Sequence, residues 1–363
     1  MKKFVGFERG IGIGGWLTNY KRFQLLTEDK REILTIGDRE HFQSYITERD
    51  IAYIASCGFD HIRLGFDQIV MQNRDGSFLD EHFALLEKFV SWCKKHGVNA
   101  VLNLHKAIGN YCDVESTVHL IDSDELQNNF INLWVEMERR FSSDNSIAFE
   151  LLNEVNSVDP DKYNALAEKT INAIRALNKD RIIIYSGAGG WSVEGITNMR
   201  VFDDEKVIYT FHFYSPFEFT HQRGVLQKGP MFYNRDMPYP CDDIERYNDY
   251  NKVVWNLDNY YKGYDKMDKK YLYDCLEPAK AFIEAHPDKI FWCGEFGNIR
   301  HAKLEWRMAW FKDIIAFLKE HEIPYSVWNY LSTPNDGNRF SLVDDDKREF
   351  LSQEFLQILL GNF

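Results

Sequence analysis

Short apolar runs, each cut off by polar side chains and each followed by a stretch of helical periodicity, recur along the whole chain. That alternation constrains the fold most. A strand covered on both faces reads as a near-continuous apolar run, and it reaches a parallel neighbour only through a crossover, usually a helix. In order, the runs are Arg9–Trp16, His61–Phe66, Asn99–Leu104, Ser146–Glu154, Arg181–Ser186, Val207–Phe213, Ile290–Cys293 and Tyr325–Asn329. Between and after them, helices are expected over Glu48–Cys57, Glu81–His96, Glu125–Phe141, Asp159–Leu177, Leu276–Ala285, Leu304–Glu322 and Phe350–Leu360, with a short one after Trp191. Phe83, Leu86, Phe89, Val90 and Cys93 share one helix face. Gly58 and Gly97 stand where helices stop, and Pro160 at a first helical position. Eight strand–helix units predict an α/β chain folded as a (β/α)8 TIM barrel.

Such a barrel typically needs ~250 residues, and this chain has 363. Much of the excess falls in residues 215–270, rich in Tyr, Phe, Asn and Asp. Loops of that length are rare and often functional, so this one is expected to form a lid or small subdomain over the strand C-termini. Residues 18–47 are polar and read as a loop with a short helix. No Ser/Pro/Gly linker interrupts the pattern, so residues 1–363 form one domain.

Two of the runs end in a glutamate. SIAFELLNE (146–154) closes on Asn153–Glu154, and KIFWCGEFG (289–297) carries Gly294–Glu295. Strand C-termini in a barrel share one mouth, where the chemistry sits. Arg63, His105, Lys106, His212, Tyr214 and Trp328 also lie at strand exits or on the strands that lead there. Each has a dull explanation: Arg63 paired with a structural acid, His105 or His212 a satisfied buried ring, Trp328 part of the core. Their convergence on one mouth favours function. Two carboxylates there are the equipment for glycosidic bond cleavage, one as acid and base, the other as nucleophile.

Composition narrows the rest. Net charge is −13 and no basic patch is present, so a nucleic-acid partner is not expected. The six cysteines are scattered without a CxxC pair, which argues against a zinc ribbon or thioredoxin chemistry. Aromatic residues make up 15% of the chain, and flat rings suit stacking on sugars. No run is long and apolar enough to cross a membrane. MKKFVGFERGIG has no apolar leader core. A cytoplasmic protein is expected, secreted only if a leader has been removed.

With GIGIGGW at 10–16, FDHIRLGFD at 59–67, LNLHK at 102–106, FELLNE at 149–154, HFY at 212–214, GEFG at 294–297 and WNY at 328–330, the chain resembles glycoside hydrolase family 5. These motifs occur in order over most of the chain, and the likeness is greatest to small bacterial endoglucanases with an insertion after strand six. The resemblance implies a retaining hydrolase of β-linked oligosaccharides or polysaccharides that needs no cofactor or metal. Glu154 would be the acid and then the base, and Glu295 the nucleophile. Arg63 and Tyr214 would hold Glu295. Asn153 would contact the sugar 2-hydroxyl, His105 and His212 would bind hydroxyls or tune the glutamates, and Trp328 would floor the subsite at the reacting sugar. Relatives usually place two histidines together on strand three, whereas the second here is Lys106, which could add a hydroxyl contact. They often carry Asn where this chain has Gly12, and Pro where it has Gly65. The preferred sugar, endo or exo action, and oligomeric state stay open. An exo-acting β-glucosidase or β-mannosidase on short chains is the alternative activity.

Other readings are weaker. Gly10-x-Gly12-x-x-Gly15 matches a dinucleotide fingerprint in form, but almost no chain precedes it and no helix opens at its last glycine. Lys106 at a strand end could form a Schiff base. No paired histidines have metal-ligand spacing. A sugar-binding barrel without turnover would usually lack a catalytic acid, and both glutamates are present.

Overall fold

In a computed structural model, residues 2–18, 26–112, 114, 116, 118–142, 144–155, 158–189, 192–333 and 336–363 are described. The strands are β1 (Arg9–Leu17), β2 (His61–Asp67), β3 (Asn99–Lys106), β4 (Ile147–Glu150), β5 (Ile182–Tyr185), β6 (Val207–Phe213), β7 (Phe291–Phe296) and β8 (Tyr325–Val327). They form one closed barrel in chain order, every neighbouring pair parallel. Helices Glu48–Cys57, Asp80–Lys95, Asp124–Phe141, Pro160–Arg175, Glu277–Ala285, Leu304–Glu320 and Gln353–Leu359 follow the strands. After β5 the crossover shrinks to a short 3-10 helix, Val193–Asn198. Trp191, before it, lies outside the described residues.

Alternation along each strand sorts the side chains. Ile62, Leu64, Phe66, Leu102, Leu104, Phe149, Ile183, Tyr209 and Phe211 belong to the large buried cluster that includes the helices. Full burial of side chains like these contributes about 1.5–3 kcal/mol each. A separate small cluster fills the N-terminal end of the barrel: Val101, Ala148, Ile184, Ile208 and Trp292 meet Phe4 and Phe7. Phe4 stacks on Phe7 at 4.5 Å and meets Trp292 edge-on at 6.3 Å. Two residues beyond this floor the same stripes turn polar, with Arg63, Asn103, Glu150 and Thr210 all buried.

One strand breaks step. Phe211 pairs with Cys293, yet the next residue, His212, pairs with Glu295, so Gly294 is an extra residue on β7. A bulge re-aims the side chains beyond it, which brings Glu295 onto the interior face already occupied by Trp292. A Cβ on Gly294 would lie 2.5 Å from Thr210 Oγ1 and 2.9 Å from the Trp292 ring, so only glycine fits.

Some expected bounds shift. The fourth strand stops at Glu150, and Asn153–Glu154 sit in the turn beyond it. The seventh strand runs on through Glu295 to Phe296. Within 18–47 there are two helices, Glu28–Arg31 and Ile36–Ser44, and residues 19–25 lie outside the described set. Residues 215–270 contain helices Phe217–Thr220, Lys228–Tyr233 and Glu245–Trp255, with Lys269–Cys275 beginning at the end of the stretch. This segment bonds to the chain after β7 and β8. Thr220 O accepts from Ile299 N at 2.9 Å, and Asn338 Oδ1 accepts from Val225 N at 2.7 Å.

Candidate active site

Arg63 is the hub of the polar layer. It projects from the middle of β2 and is fully buried, so its charge requires partners. Its Nη1 donates to Glu295 Oε2 at 2.5 Å, and Nη2 donates to Asn153 Oδ1 at 2.7 Å. Its Nε and Nη2 donate to Glu150 Oε2 and Oε1 at 2.7 and 2.9 Å. Both meanings of a buried arginine therefore hold here: a structural acid and a site carboxylate share it. Tyr214 Oη, just past β6, donates to the other oxygen of Glu295 at 2.6 Å.

Glu154 faces this group from the opposite side. Its backbone has φ of 37°, a left-handed conformation rare outside glycine, of a kind concentrated at functional sites. His212 Nδ1 lies 3.0 Å from Glu154 Oε1. With Nδ1–H donating, Nε2 is left as the acceptor facing Arg63 Nη2 at 3.5 Å. One atom each of Glu154, His212 and Glu295 all lie within 4.8 Å of one another. A cation would tolerate that spacing, but Arg63 already sets a fixed positive charge against Glu295 and His212. An added ion there would meet like charge at close range.

Trp328 and His105 pack together beside this group. Their rings stack at 5.6 Å and 5°. The benzo edge of Trp328 lies over the β1 glycines, because a Cβ on Gly12 or Gly14 would come within 2.6 Å of it. That contact explains Gly12 and Gly14, while a Cβ on Gly10 would meet the His61 ring and one on Gly15 the Thr333 side chain, so packing accounts for the glycine-rich opening. His105 Nδ1 donates to Asn103 Oδ1 at 3.1 Å. Asn153 Nδ2 is buried with no hydrogen-bond partner among the described residues.

Charge follows from these contacts. Burial pulls His105 well below the ordinary histidine range, and the charges of Arg63, Lys106 and His212 act the same way, so the ring is neutral. Burial also opposes charging His212, but Glu295 and the bond to Glu154 outweigh it and raise its pKa. Tyr214 is raised well above the ordinary range by burial and then by Glu295 and Glu154, so it stays a donor. Desolvation of Arg63 is outweighed by Glu150 and Glu295, which keep it charged.

The family model for cellulase (glycosyl hydrolase family 5) matches residues 26–333. Endoglucanase C of Acetivibrio thermocellus is 33% identical over 98% of both chains. The chain belongs to glycosyl hydrolase family 5. Cellodextrinase A of Ruminococcus flavefaciens is 29% identical over 89% of this chain and 85% of its own. Among solved structures, endoglucanase Cel5A from the hyperthermophilic Thermotoga maritima superposes with a TM-score of 0.74, covering 98% and 97% of the two chains at 23% identity, a likeness of fold.

This family 5 chain is an O-glycosyl hydrolase, and the residues expected at its mouth converge except for one at the edge. Arg63, Asn153, Glu154, His212, Tyr214 and Glu295 form one bonded group, and His105 and Trp328 stack beside it. Lys106 ends β3 opposite Asp67 and reaches the group through its charge on His105. Two members were missed from sequence. Glu150 lies inside a quoted motif, and an acid within an apolar strand, matched to an arginine within another, was the available signal. Asn103 gave no comparable signal, since its role is to orient the His105 ring.

Proposed function

We propose that this family 5 glycosidase hydrolyses β-1,4-linked glucans by double displacement, with Glu295 as nucleophile and Glu154 as acid and then base. One observation carries the reading: Glu154 and Glu295 face each other within 4.8 Å. Retaining glycosidases hold their carboxyl groups about 5–5.5 Å apart, too close to admit a water between carboxylate and sugar. Glu295 attacks the anomeric carbon while Glu154 protonates the leaving oxygen. Water then enters, Glu154 takes its proton, and the bond to Glu295 breaks with net retention.

The surrounding groups suit that division. Arg63 and Tyr214 each hold one oxygen of Glu295, leaving the carboxylate oriented and charged. Asn153 Nδ2, which has no partner among the described residues, would donate to the sugar 2-hydroxyl, where bonds strengthen in the transition state. Trp328 offers a half-buried ring as the floor, and His105, Lys106 and His212 line the mouth. Residues 215–270 form one wall of the cleft in this reading. The relatives named endoglucanase support internal cleavage.

A second reading, action on short soluble chains, is favoured by the likeness to a cellodextrinase. Cys57, Cys93, Cys241, Cys275 and Cys293 are free thiols, which suits a reducing compartment and with it a cytoplasmic enzyme fed by imported oligosaccharides. Product analysis on β-1,4-gluco- and manno-oligosaccharides and a soluble β-glucan, wild type beside Glu295→Gln, separates the two. Mid-chain products and falling viscosity establish an endo enzyme. Single sugars from chain ends establish the second reading. No release from any of these substrates counts against both.

A further inference from the structure

The mechanism leaves Glu150 unused, yet it has the fullest pairing with Arg63. It is 1% exposed, and both of its oxygens accept from one edge of the guanidinium. We propose that Glu150 is a positioning residue for hydrolysis: its fork on the Nε–Nη2 edge turns Arg63 so that only Nη1 meets Glu295, and its charge divides the guanidinium between two carboxylates. The inference rests on Glu295 being the nucleophile.

A guanidinium has five N–H donors in one plane, and a carboxylate takes two of them best along one edge. Glu150 occupies the side edge. Asn153 Oδ1 takes the remaining Nη2 hydrogen, and Nη1 makes a single bond to Glu295. Without Glu150 the side edge stands open and Glu295 is the sole carboxylate bonded to a buried cation. Arg63 would then re-pair with both Glu295 oxygens, in competition with Tyr214. A carboxylate paired through both oxygens with one cation, and so fully offset in charge, attacks carbon less well than one that shares the cation and keeps its bond from Tyr214. The same rotation would withdraw Nη2 from Asn153, loosening the residue aimed at the sugar.

Charges around the nucleophile are set from several elements. Glu295 is faced by Arg63 on β2, Glu154 beyond β4, His212 and Tyr214 on and after β6, and Cys293 on its own strand. Glu150 on β4 and His105 on β3 face Arg63. Removing the Glu150 charge leaves more of Arg63 for Glu295, and the acid limb of the rate profile should move to lower pH.

The experiment compares wild type, Glu150→Gln and Glu150→Asp on one soluble β-1,4-gluco-oligosaccharide, reading kcat, KM, the pH profile of kcat/KM and the thermal midpoint. For Glu150→Gln we expect kcat to fall about 100-fold with KM nearly unchanged, and the acid limb to move down by roughly one pH unit. Glu150→Asp keeps the charge but cannot reach both donors; its acid limb stays in place while kcat falls about 10-fold. Wild-type kcat in Glu150→Asp overturns the proposal. So does a Glu150→Gln variant whose acid limb is unmoved and whose activity loss tracks thermal stability alone. If Glu150→Gln does not fold, Glu150→Asp decides. A wild type with no turnover would instead sink the glycosidase reading itself.

Discussion

The Tyr214 hydroxyl donates to Glu295 Oε1 at 2.6 Å, while the other oxygen of that carboxylate is held from across the barrel by Arg63. The carboxylate is thus clamped from β2 and from the segment just past β6. A hydrogen bond to a charged group contributes about 1.5–3 kcal/mol. Tyr214→Phe should therefore lower turnover about 10- to 100-fold with the fold intact. Steady-state kinetics beside a thermal melt check this; a lower melting point with normal kcat would contradict it.

Leaving-group chemistry separates the two glutamates. An aryl glycoside with a good leaving group needs no proton in the first step. Glu154→Gln should then release a burst of phenol and stall, with turnover restored by azide as a β-glycosyl azide. On an oligosaccharide the same variant should lose about 10²–10⁴-fold. Glu295→Gln should show no burst on either substrate. A Glu154→Gln variant without a burst, or a Glu295→Gln variant with one, would reverse or remove the assignments.

The first anomer formed is a separate check. Proton NMR of a hydrolysis begun in the spectrometer should show the β-anomer before mutarotation. An α-anomer appearing first excludes double displacement.

Gly12 bears on the sugar floor. A Cβ there would lie 2.6 Å from Trp328 Cε3, and Trp328 cannot retreat without breaking its stack on His105. Gly12→Ala should tilt the indole and raise KM several-fold, with a stability loss of about 1–3 kcal/mol from overpacking. Unchanged KM would show that the ring takes no part in binding.

Glu218 gives a pH prediction away from the chemistry. It is buried at the start of the 215–270 segment, accepting from Tyr261 Oη at 2.8 Å and from Asn251 Nδ2. Burial raises its pKa, outweighing the bonds from Asn251 and Tyr261. The folded chain therefore binds this proton more tightly than the unfolded chain does. Its contribution is complete below the unfolded carboxylate value of about 4.3, and it is lost as pH rises through the higher folded value. Glu218→Gln should raise the melting point relative to wild type at pH 8 and lose that advantage at pH 4. An offset that does not vary with pH would refute the linkage.

The barrel was legible because buried parallel strands are written as apolar runs, eight of them recur, and Gly58, Gly97 and Pro160 mark where helices stop or start. The strand-end residues followed from that frame. Strand limits at the mouth did not, since periodicity carries no mark of a bulge: Gly294 reads like any glycine, yet it decides which way Glu295 points. Glu150 was hidden for a related reason. Its meaning depends on Arg63, 87 residues away, and only closure of the barrel brings them to 2.7 Å. The Gly10–Gly15 stretch matched a nucleotide fingerprint in form alone, because small residues serve equally to admit a phosphate or, as at Gly12 and Gly14, an indole.

The aromatic cluster of Phe4, Phe7 and Trp292 closes the N-terminal end of the barrel, so a sugar can reach the polar layer only from the strand C-termini. In the proposed mechanism the leaving sugar and the incoming water both use that face of the barrel. A sugar hydroxyl that lingers there competes with water for the glycosyl group. At high concentrations of short chains, then, the proposed double displacement predicts that longer oligosaccharides are built as well as broken, because a sugar and water compete for one glycosyl group.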